Sequence, residues 1–163
     1  MIVPEPAGNY AVTVIGAGMV GASFALALQQ HLGNDTPILV VEAGSVEPQQ
    51  ALSPGFDDRS TALSYGSSQI LQQIGLLDAL TGHMTPIKTI HVSDRGHFGS
   101  SQLDCVSEGV SALGYVVENR QFGQVLSETL IGSQNLDLVA PATVTAIRPQ
   151  SLGMQLTLSN DKN

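Results

Sequence analysis

The chain has 163 residues, 42% of them apolar, which is enough for one domain with a hydrophobic core. Acidic residues outnumber basic ones 14 to 6 and leave a formal charge of -8, which argues against nucleic acid as a partner because phosphate binding needs clustered Lys and Arg. The lone Cys105 excludes an internal disulfide, and the lack of a signal-peptide pattern or a long apolar run predicts a cytoplasmic chain without a membrane span.

The first part of the chain has the pattern of a βαβ unit. The apolar run Tyr10–Ile15 ends in a glycine and predicts a strand buried on both faces. Helical spacing from Met19 onward stops at Gly33, and the run Ile38–Val41 predicts a second buried strand. We expect a right-handed crossover between these parallel strands, and we expect residues 1–9 to be flexible.

The central part combines helical and strand patterns. Residues 62–80 are predicted to be mostly helical, with a break at Gly75. The segments 88–92 and 97–103 flank a turn at Asp94-Arg95-Gly96 and predict a hairpin within residues 86–105.

The last part returns to helix and strand. Asn119 is placed to cap a helix that ends near Gly132, and 136–139 predicts a third short buried strand. The segments 144–147 and 154–158 predict a second hairpin. Because the chain stops at a polar turn just after this hairpin, we expect it to be the amino-terminal portion of a longer protein.

A glycine motif and one carboxylate define the candidate site. Glycines at 16, 18 and 21 form G-x-G-x-x-G between the first strand and its helix, and Glu42 ends the next strand. Gly16 makes the turn, Gly18 admits a pyrophosphate, and Gly21 allows close packing of the helix on the sheet. Glu42 is placed to bind a ribose and would repel a 2′-phosphate, so FAD or NAD fits and NADP does not. The predicted fold class is α/β, a Rossmann-like FAD/NAD(P)-binding βαβ unit with a parallel sheet plus β-hairpins.

Three segments carry a resemblance that separates FAD from NAD. Residues 56–64, FDDRSTALS, contain the D-x-R-x-x-A-L-S signature, and IHVSDRGHFG at 90–99 and LGYVVENRQFGQVL at 113–126 continue the match. The chain resembles the FAD-dependent aromatic hydroxylases of ubiquinone biosynthesis from Tyr10 to about Leu158. HVSDRGH is similar to the 2-polyprenyl-6-methoxyphenol hydroxylase branch of that family.

The resemblance implies an FAD monooxygenase that uses NAD(P)H and O2 to hydroxylate a prenylated phenol, with FAD carrying the chemistry. It also implies association with other enzymes of the pathway and peripheral contact with the membrane. The hairpin within 86–105 would belong to a substrate-side sheet. By this resemblance, Gly16, Gly18 and Gly21 would contact the ADP part of FAD, and Glu42 would contact its adenosine ribose. Arg59 would contact FAD near the pyrophosphate and the flavin end. Arg120 would be a further basic residue in contact with FAD.

Other interpretations of these residues stay open. Arg59 has the charge and donor geometry for phosphate, but it could instead pair with Asp57 or Asp58 on a solvated loop. Arg120 could be a plain helix-surface charge. Tyr115 stands where some relatives carry a glutamine that contacts FAD, which leaves that contact in doubt.

Two further functions also stay open, an NAD dehydrogenase domain and a nucleotide-binding module without chemistry. His91 and His97 flank the predicted turn and are interpreted as polar strand positions, because no carboxylate or cysteine stands at metal-ligand spacing. In enzymes of the family that the chain resembles, an aspartate-glycine motif and a glycine-aspartate motif follow the part that this chain matches. Neither motif occurs at a corresponding place in these 163 residues. The 163 residues are therefore expected to hold half a site and to be inactive alone, with no catalytic residue assigned.

Overall fold

The computed structural model describes residues 8–33, 35–46 and 59–159, and these divide between two compact units, 1–57 with 123–163 and 58–122. Residues 1–7 of the predicted flexible start and the Asp57-Asp58 pair lie outside the described residues. The helices are α1 (Met19–Leu32), α2 (Tyr65–Gln73), α3 (Leu76–Ala79) and α4 (Asn119–Gly132). The strands are β1 (Val12–Ile15), β2 (Ile38–Val41), β3 (Ser60–Ser64), β4 (Met84–Ile87), β5 (Thr89–Ser93), β6 (Ser100–Asp104), β7 (Gly114–Glu118), β8 (Leu136–Val139), β9 (Thr143–Gln150) and β10 (Gly153–Ser159).

A parallel sheet of three strands forms the centre of the first unit, in the order β1-β2-β8. In its register Ile38 lies beside Val12 on one side and Leu136 on the other. All four residues of the central strand β2 are buried, which is why its sequence is a continuous apolar run. The predicted βαβ unit and third parallel strand are confirmed.

Helix α1 packs against β1 and β2, and it begins and ends where the sequence predicts. Small residues on its buried side, Ala22 and Ala25, let the helix approach the sheet closely, and Leu26 is buried with them. Gly33 ends the helix with a φ of +74°, a backbone conformation that favours glycine.

The second predicted hairpin is confirmed as the antiparallel pair β9 and β10. Val144 and Leu158 from this hairpin pack against a buried cluster of the parallel sheet, and Tyr10 joins them. The cluster contains Leu39, Val41, Val139 and Ala142. The hairpin therefore covers part of one side of the sheet whose carboxyl end carries the candidate site.

The second unit is built on an antiparallel sheet in the order β3-β7-β4. The helical prediction for residues 62–80 is wrong at its start, because residues 62–64 belong to β3 and only Tyr65 onward is helical. Strand β7, 50 residues away, supplies the pairing that overrides the local pattern. A Cβ on Gly114 would overlap the carbonyl oxygen of Leu63, so glycine is what lets these two strands meet.

The first predicted hairpin is also present. Strands β5 and β6 pair antiparallel, with Ile90 opposite Leu103 and Val92 opposite Ser101. Strand β4, which precedes this hairpin, was not predicted. None of the described helices is long and apolar enough to cross a bilayer.

Candidate nucleotide-binding site

The glycine turn between β1 and α1 adopts the geometry that its sequence predicts. Gly16 has a φ of +96°, and its N–H donates to the carbonyl of Val41 at 2.7 Å, which ties the turn to the neighbouring strand. A Cβ on Gly21 would overlap the Gly16 carbonyl oxygen, so the helix is as close to the turn as glycine permits. Gly18, at the start of α1, is exposed, and a Cβ there would meet no atom within 4 Å.

Glu42 is held against this turn by both its side chain and its backbone. One carboxylate oxygen, Oε2, accepts the N–H of Ala17 at 2.6 Å, and the other, Oε1, accepts the N–H of Gly44 at 2.8 Å. Its backbone N–H donates to Val139 at 2.9 Å, and its carbonyl accepts the N–H of Ala142 at 2.7 Å. The carboxylate is thus fixed beside the first residues of the glycine loop.

The arrangement can bind a diphosphate linked to a ribose. The first turn of a helix offers N–H groups that have no partner within the helix, together with the positive end of its dipole. A carboxylate has about four acceptor positions, so the two backbone N–H groups leave capacity on Glu42 for ribose hydroxyls. The same negative charge opposes a phosphate on the ribose.

The sequence identified Glu42 but not the groups that orient it. Ala17 and Gly44 contribute only backbone N–H groups, and Ala17 is an unspecified position within the glycine motif. Neither contact could be found from side-chain identity, because every residue except proline carries a backbone N–H.

The two predicted arginines come together within the second unit. The carbonyl of Arg59 accepts the N–H of Asn119 at 2.9 Å, which extends the β3–β7 pairing by one residue. The chain at Arg59 therefore runs beside the start of α4, where Arg120 lies, and both residues are exposed. The backbone thus places Arg59 next to the helix residue Asn119, which Arg120 follows in sequence.

A buried polar contact fixes this junction. Asn119 is 5% exposed, and its Oδ1 accepts the hydroxyl of Thr61 at 2.6 Å. Thr61 lies on β3 and Asn119 begins α4, so the bond joins the strand that follows Arg59 to the helix that carries Arg120. Thr61 stands at an unspecified position of the D-x-R-x-x-A-L-S segment and its partner is 58 residues away, so local pattern could not identify this bond.

The remaining candidate residues lie on other segments of the second unit. His97 Nδ1 lies 2.8 Å from a carboxylate oxygen of Asp94 at the exposed turn between β5 and β6, and His91 lies on β5 opposite Gln102. Within the described ranges, no three His, Cys, Asp or Glu residues are placed to hold a metal ion. Cys105 is buried. Tyr115 is half-buried on β7.

A cleft of about 1080 Å³ opens elsewhere in the first unit. It is lined by residues around Tyr10, by Leu39 and by the turn of the β9–β10 hairpin. Tyr10 precedes β1, so the cleft lies toward the amino ends of the parallel strands, whereas the glycine loop and Glu42 lie at their carboxyl ends. Nucleotides bind at the carboxyl ends of such sheets, so the cleft is distinct from the candidate nucleotide site.

No family model matches the chain. Among curated proteins, the ubiquinone hydroxylase UbiL of Rhodospirillum rubrum is 32% identical over 91% of this chain and 33% of its own length. The 3-demethoxyubiquinol 3-hydroxylase of Escherichia coli is 28% identical over 83% of this chain and 34% of its own length. The human protein named ubiquinone biosynthesis monooxygenase COQ6, mitochondrial, is 29% identical over 74% of this chain and 26% of its own length.

Solved structures agree on the fold. The p-nitrophenol 4-monooxygenase PnpA of Pseudomonas putida matches 91% of this chain and 38% of its own with a TM-score of 0.65 at 18% identity. PqsL of Pseudomonas aeruginosa is described as a probable FAD-dependent monooxygenase. The match covers 93% of this chain and 38% of PqsL, with a TM-score of 0.67 and 17% sequence identity. The predicted fold class is confirmed.

The curated relatives share one kind of activity, and the similarity to them extends across nearly all of this chain. The chain spans about a third of their length, which agrees with the expectation of a portion of a longer enzyme. The glycine loop, the fixed Glu42 and the D-x-R-x-x-A-L-S segment lie within the residues that the family resemblance covers. The homologues of this chain are ubiquinone-biosynthesis hydroxylases, and the chain corresponds to about a third of their length.

Proposed function

We propose that the whole protein is an FAD-dependent monooxygenase that hydroxylates a prenylated phenol in ubiquinone biosynthesis, with NAD(P)H and O2 as co-substrates. The observation that carries the dinucleotide part of this proposal is the carboxylate of Glu42, which accepts the Ala17 N–H within the glycine loop at 2.6 Å. The choice of FAD over NAD is supported by the family resemblance of residues 56–64 and by the similarity of the fold to FAD-dependent monooxygenases. The reaction is inferred from the relatives, which are named as hydroxylases and monooxygenases of ubiquinone biosynthesis.

The residues of the first unit fit the adenosine diphosphate half of FAD. The space beyond Gly18 would admit the pyrophosphate, and the amino end of α1 would stabilise its charge. Gly16 and Gly21 hold the loop and the helix in place without themselves needing to touch the cofactor. Glu42 would accept hydrogen bonds from the adenosine ribose.

Arg59 and Arg120 are proposed as further FAD contacts. Support comes from their exposed positions on adjacent segments of the second unit and from the match of Arg59 to the D-x-R-x-x-A-L-S segment. A guanidinium presents a fork of donors that suits phosphate oxygens, and its charge is permanent. The Thr61–Asn119 hydrogen bond would position both arginines rather than contact the cofactor.

FAD would supply the redox chemistry, and this chain would supply binding, orientation and charge compensation. None of the described residues is assigned to the hydroxylation step. We propose that the 163 residues alone bind the cofactor's adenosine side and are inactive as a hydroxylase, because the flavin end of the site depends on further residues.

The proposed substrate also bears on partners and location. A prenyl chain partitions into lipid, so peripheral contact with a membrane and association with other enzymes of ubiquinone biosynthesis belong to this proposal. We place the protein in the cytoplasm. The β5–β6 hairpin, within residues 86–105, is proposed as part of the substrate-side sheet.

A titration of the intact protein with FAD tests the cofactor assignment, followed by NAD(P)H oxidation with and without a phenol. We expect a bound yellow cofactor and oxidation that is stimulated by the phenol. Binding of NAD without FAD would favour an NAD dehydrogenase domain instead. Binding of nucleotide without any oxidation of NAD(P)H would favour a module without chemistry.

A further inference from the structure

Helix α1 carries apolar side chains on the side that faces away from the parallel sheet. Val20 is 84% exposed and Phe24 is 53% exposed, and Leu28, the next residue at helical spacing, is half-buried. These three residues define the outer face of α1. From residue 19 to residue 28 the only polar side chain is that of Ser23, so this part of the helix is apolar both toward the sheet and away from it.

Helix α4 shows what a solvated helix side looks like in this chain. Both helices have 14 residues. On α4 the exposed residues at helical spacing are Arg120, Gln124 and Glu128, which are two charges and an amide. By contrast, α1 contains no Asp, Glu, Lys or Arg. The outer face of α1 therefore has the composition of a buried surface, because a helix that is apolar on all sides is normally buried.

The described residues leave this face open. Apart from isolated contacts, α1 packs only on β1 and β2 among the described helices and strands. Single exposed apolar residues are normal on a protein surface, but a row of them on an uncharged helix marks a contact with something else. The chain covers 33% of the length of UbiL, so about two-thirds of a protein of that length lies outside these 163 residues.

The size and charge of the outer face indicate what covers it. A stable interface between two separate proteins buries about 800 Å² on each side, which is far more than one row of three side chains offers. A helix that lies on a membrane carries Lys and Arg on its polar side, and α1 has neither. A segment of the same chain needs no large area, because its covalent connection already holds it nearby.

We propose that an apolar segment of the whole protein, outside these 163 residues, packs on the outer face of α1 and buries Val20 and Phe24. Helix α1 is then held between this segment and the parallel sheet. Its amino end, where Gly18 opens toward the proposed pyrophosphate site, is fixed from both sides. The contact goes beyond the proposed function, because it needs only a protein longer than this chain and holds whichever dinucleotide binds.

Cysteine labelling of the intact FAD-loaded protein tests whether the outer face is covered. Phe24→Cys places a new thiol on that face, and Gln124→Cys, the matched control, places one on the exposed side of α4. We expect a maleimide to react about tenfold more slowly at position 24 than at position 124, and at equal rates in urea. Mass spectrometry counts the labels added beyond those of the wild type. Should Phe24→Cys not fold, Val20→Cys makes the same measurement.

The same measurement separates the other partners that could cover this face. No lipid is present, so equal native rates at the two positions would mean an uncovered or membrane-facing helix and would overturn the proposal. Protection that disappears on about hundredfold dilution of the protein would mean a second copy and would overturn it as well. Protection that does not depend on protein concentration is the result that the proposal requires.

Photo-crosslinking from p-benzoylphenylalanine in place of Phe24 identifies the covering segment. We expect a crosslink within one chain to a peptide that lies outside residues 1–163. A crosslink to a second chain, a crosslink within residues 1–163, or none at all would overturn the proposal.

The FAD content of each variant separates this proposal from the proposed function. Protein that lacks FAD but protects the thiol at position 24 would reject the cofactor assignment alone. FAD-loaded protein in which that thiol reacts as fast as the control would reject the covered helix alone.

Discussion

Strands β2 and β5 are both short and contain isoleucine and valine, yet their surroundings differ completely. The four residues of β2, ILVV, are all buried between β1 and β8, whereas the five residues of β5, TIHVS, are all exposed. The difference comes from the neighbours rather than from strand propensity, since β5 pairs with one strand and β2 with two. The buried sheet fixes the candidate nucleotide site, whereas β5 pairs with β6 alone and stays exposed among the described residues.

The largest effect is expected at the contact between the glycine loop and its helix. Gly21→Ala places a Cβ against the backbone carbonyl of Gly16, which cannot move without displacing the loop. We expect about 3 kcal/mol of destabilisation, measured by urea unfolding, and loss of FAD binding. Gly66→Ala is the control, because a Cβ there meets only the Ser64 hydroxyl at 3.9 Å and alanine favours the helix. Equal effects of both substitutions would contradict the close-packed loop.

The contrast between the two strands can be tested directly with one substitution at each. Val40 is fully buried in β2, so Val40→Ala should lower the free energy of unfolding by about 2 kcal/mol through lost burial and a cavity. Val92→Ala, in the exposed β5, should change it by less than about 0.5 kcal/mol. Chemical denaturation of both variants measures their free energies of unfolding. Similar losses in the two variants would mean that other parts of the intact protein cover β5.

The next effect concerns affinity rather than stability. Glu42→Gln keeps the size of the side chain but removes its charge, and one oxygen that accepts a backbone N–H becomes a donor. We expect FAD to bind about tenfold or more weakly in a fluorescence titration. Glu128→Gln is the control, because Glu128 is an exposed acid on α4 whose Oε1 accepts a hydrogen bond from Gln124 Nε2 at 2.9 Å. Unchanged affinity for FAD in Glu42→Gln would contradict a contact between Glu42 and the ribose.

The smallest effect is expected at Tyr10. Its hydroxyl donates to Asp137 at 2.7 Å, and burial, that bond and the charge of Asp137 raise the pKa of Tyr10 to about 12 from 10.0. The neutral phenol is therefore favoured in the folded state, so its contribution is complete below pH 10 and is lost as the pH rises toward about 12.

Tyr10→Phe should cost about 0.5–1 kcal/mol at neutral pH, since the bond is open to solvent. Unfolding measured from pH 9 to pH 12 checks the sign, because the difference between wild type and variant should shrink as the pH rises through this range. A difference that grows with pH would contradict the assigned hydrogen bond.

The first unit was predictable because its signals are local. Ile38–Val41 and Leu136–Val139 are continuous apolar runs, and the glycine motif lies between a strand and a helix that follow each other in sequence. The hairpins were predictable for the same reason, since turn residues separate their strands. Glu42 followed from its position at the end of β2.

The second unit was less predictable because its pairings are distant. Ala62 and Leu63 continue a helical pattern locally, and only pairing with Val116 and Tyr115 makes them a strand. The proximity of Arg59 to α4 depends on that same pairing, so sequence alone could name the arginines but could not bring them together. The Thr61–Asn119 bond was missed because neither residue has a local partner that would mark it.

Calorimetric titration of the intact protein with FAD, FMN and ADP tests the assignment of the glycine loop and Glu42 to the adenosine side of the cofactor. We expect one FAD per chain, competition by ADP, and no binding of FMN, because these residues would hold the adenosine side. Binding of FMN as tight as that of FAD, or FAD binding that ADP does not affect, would contradict it.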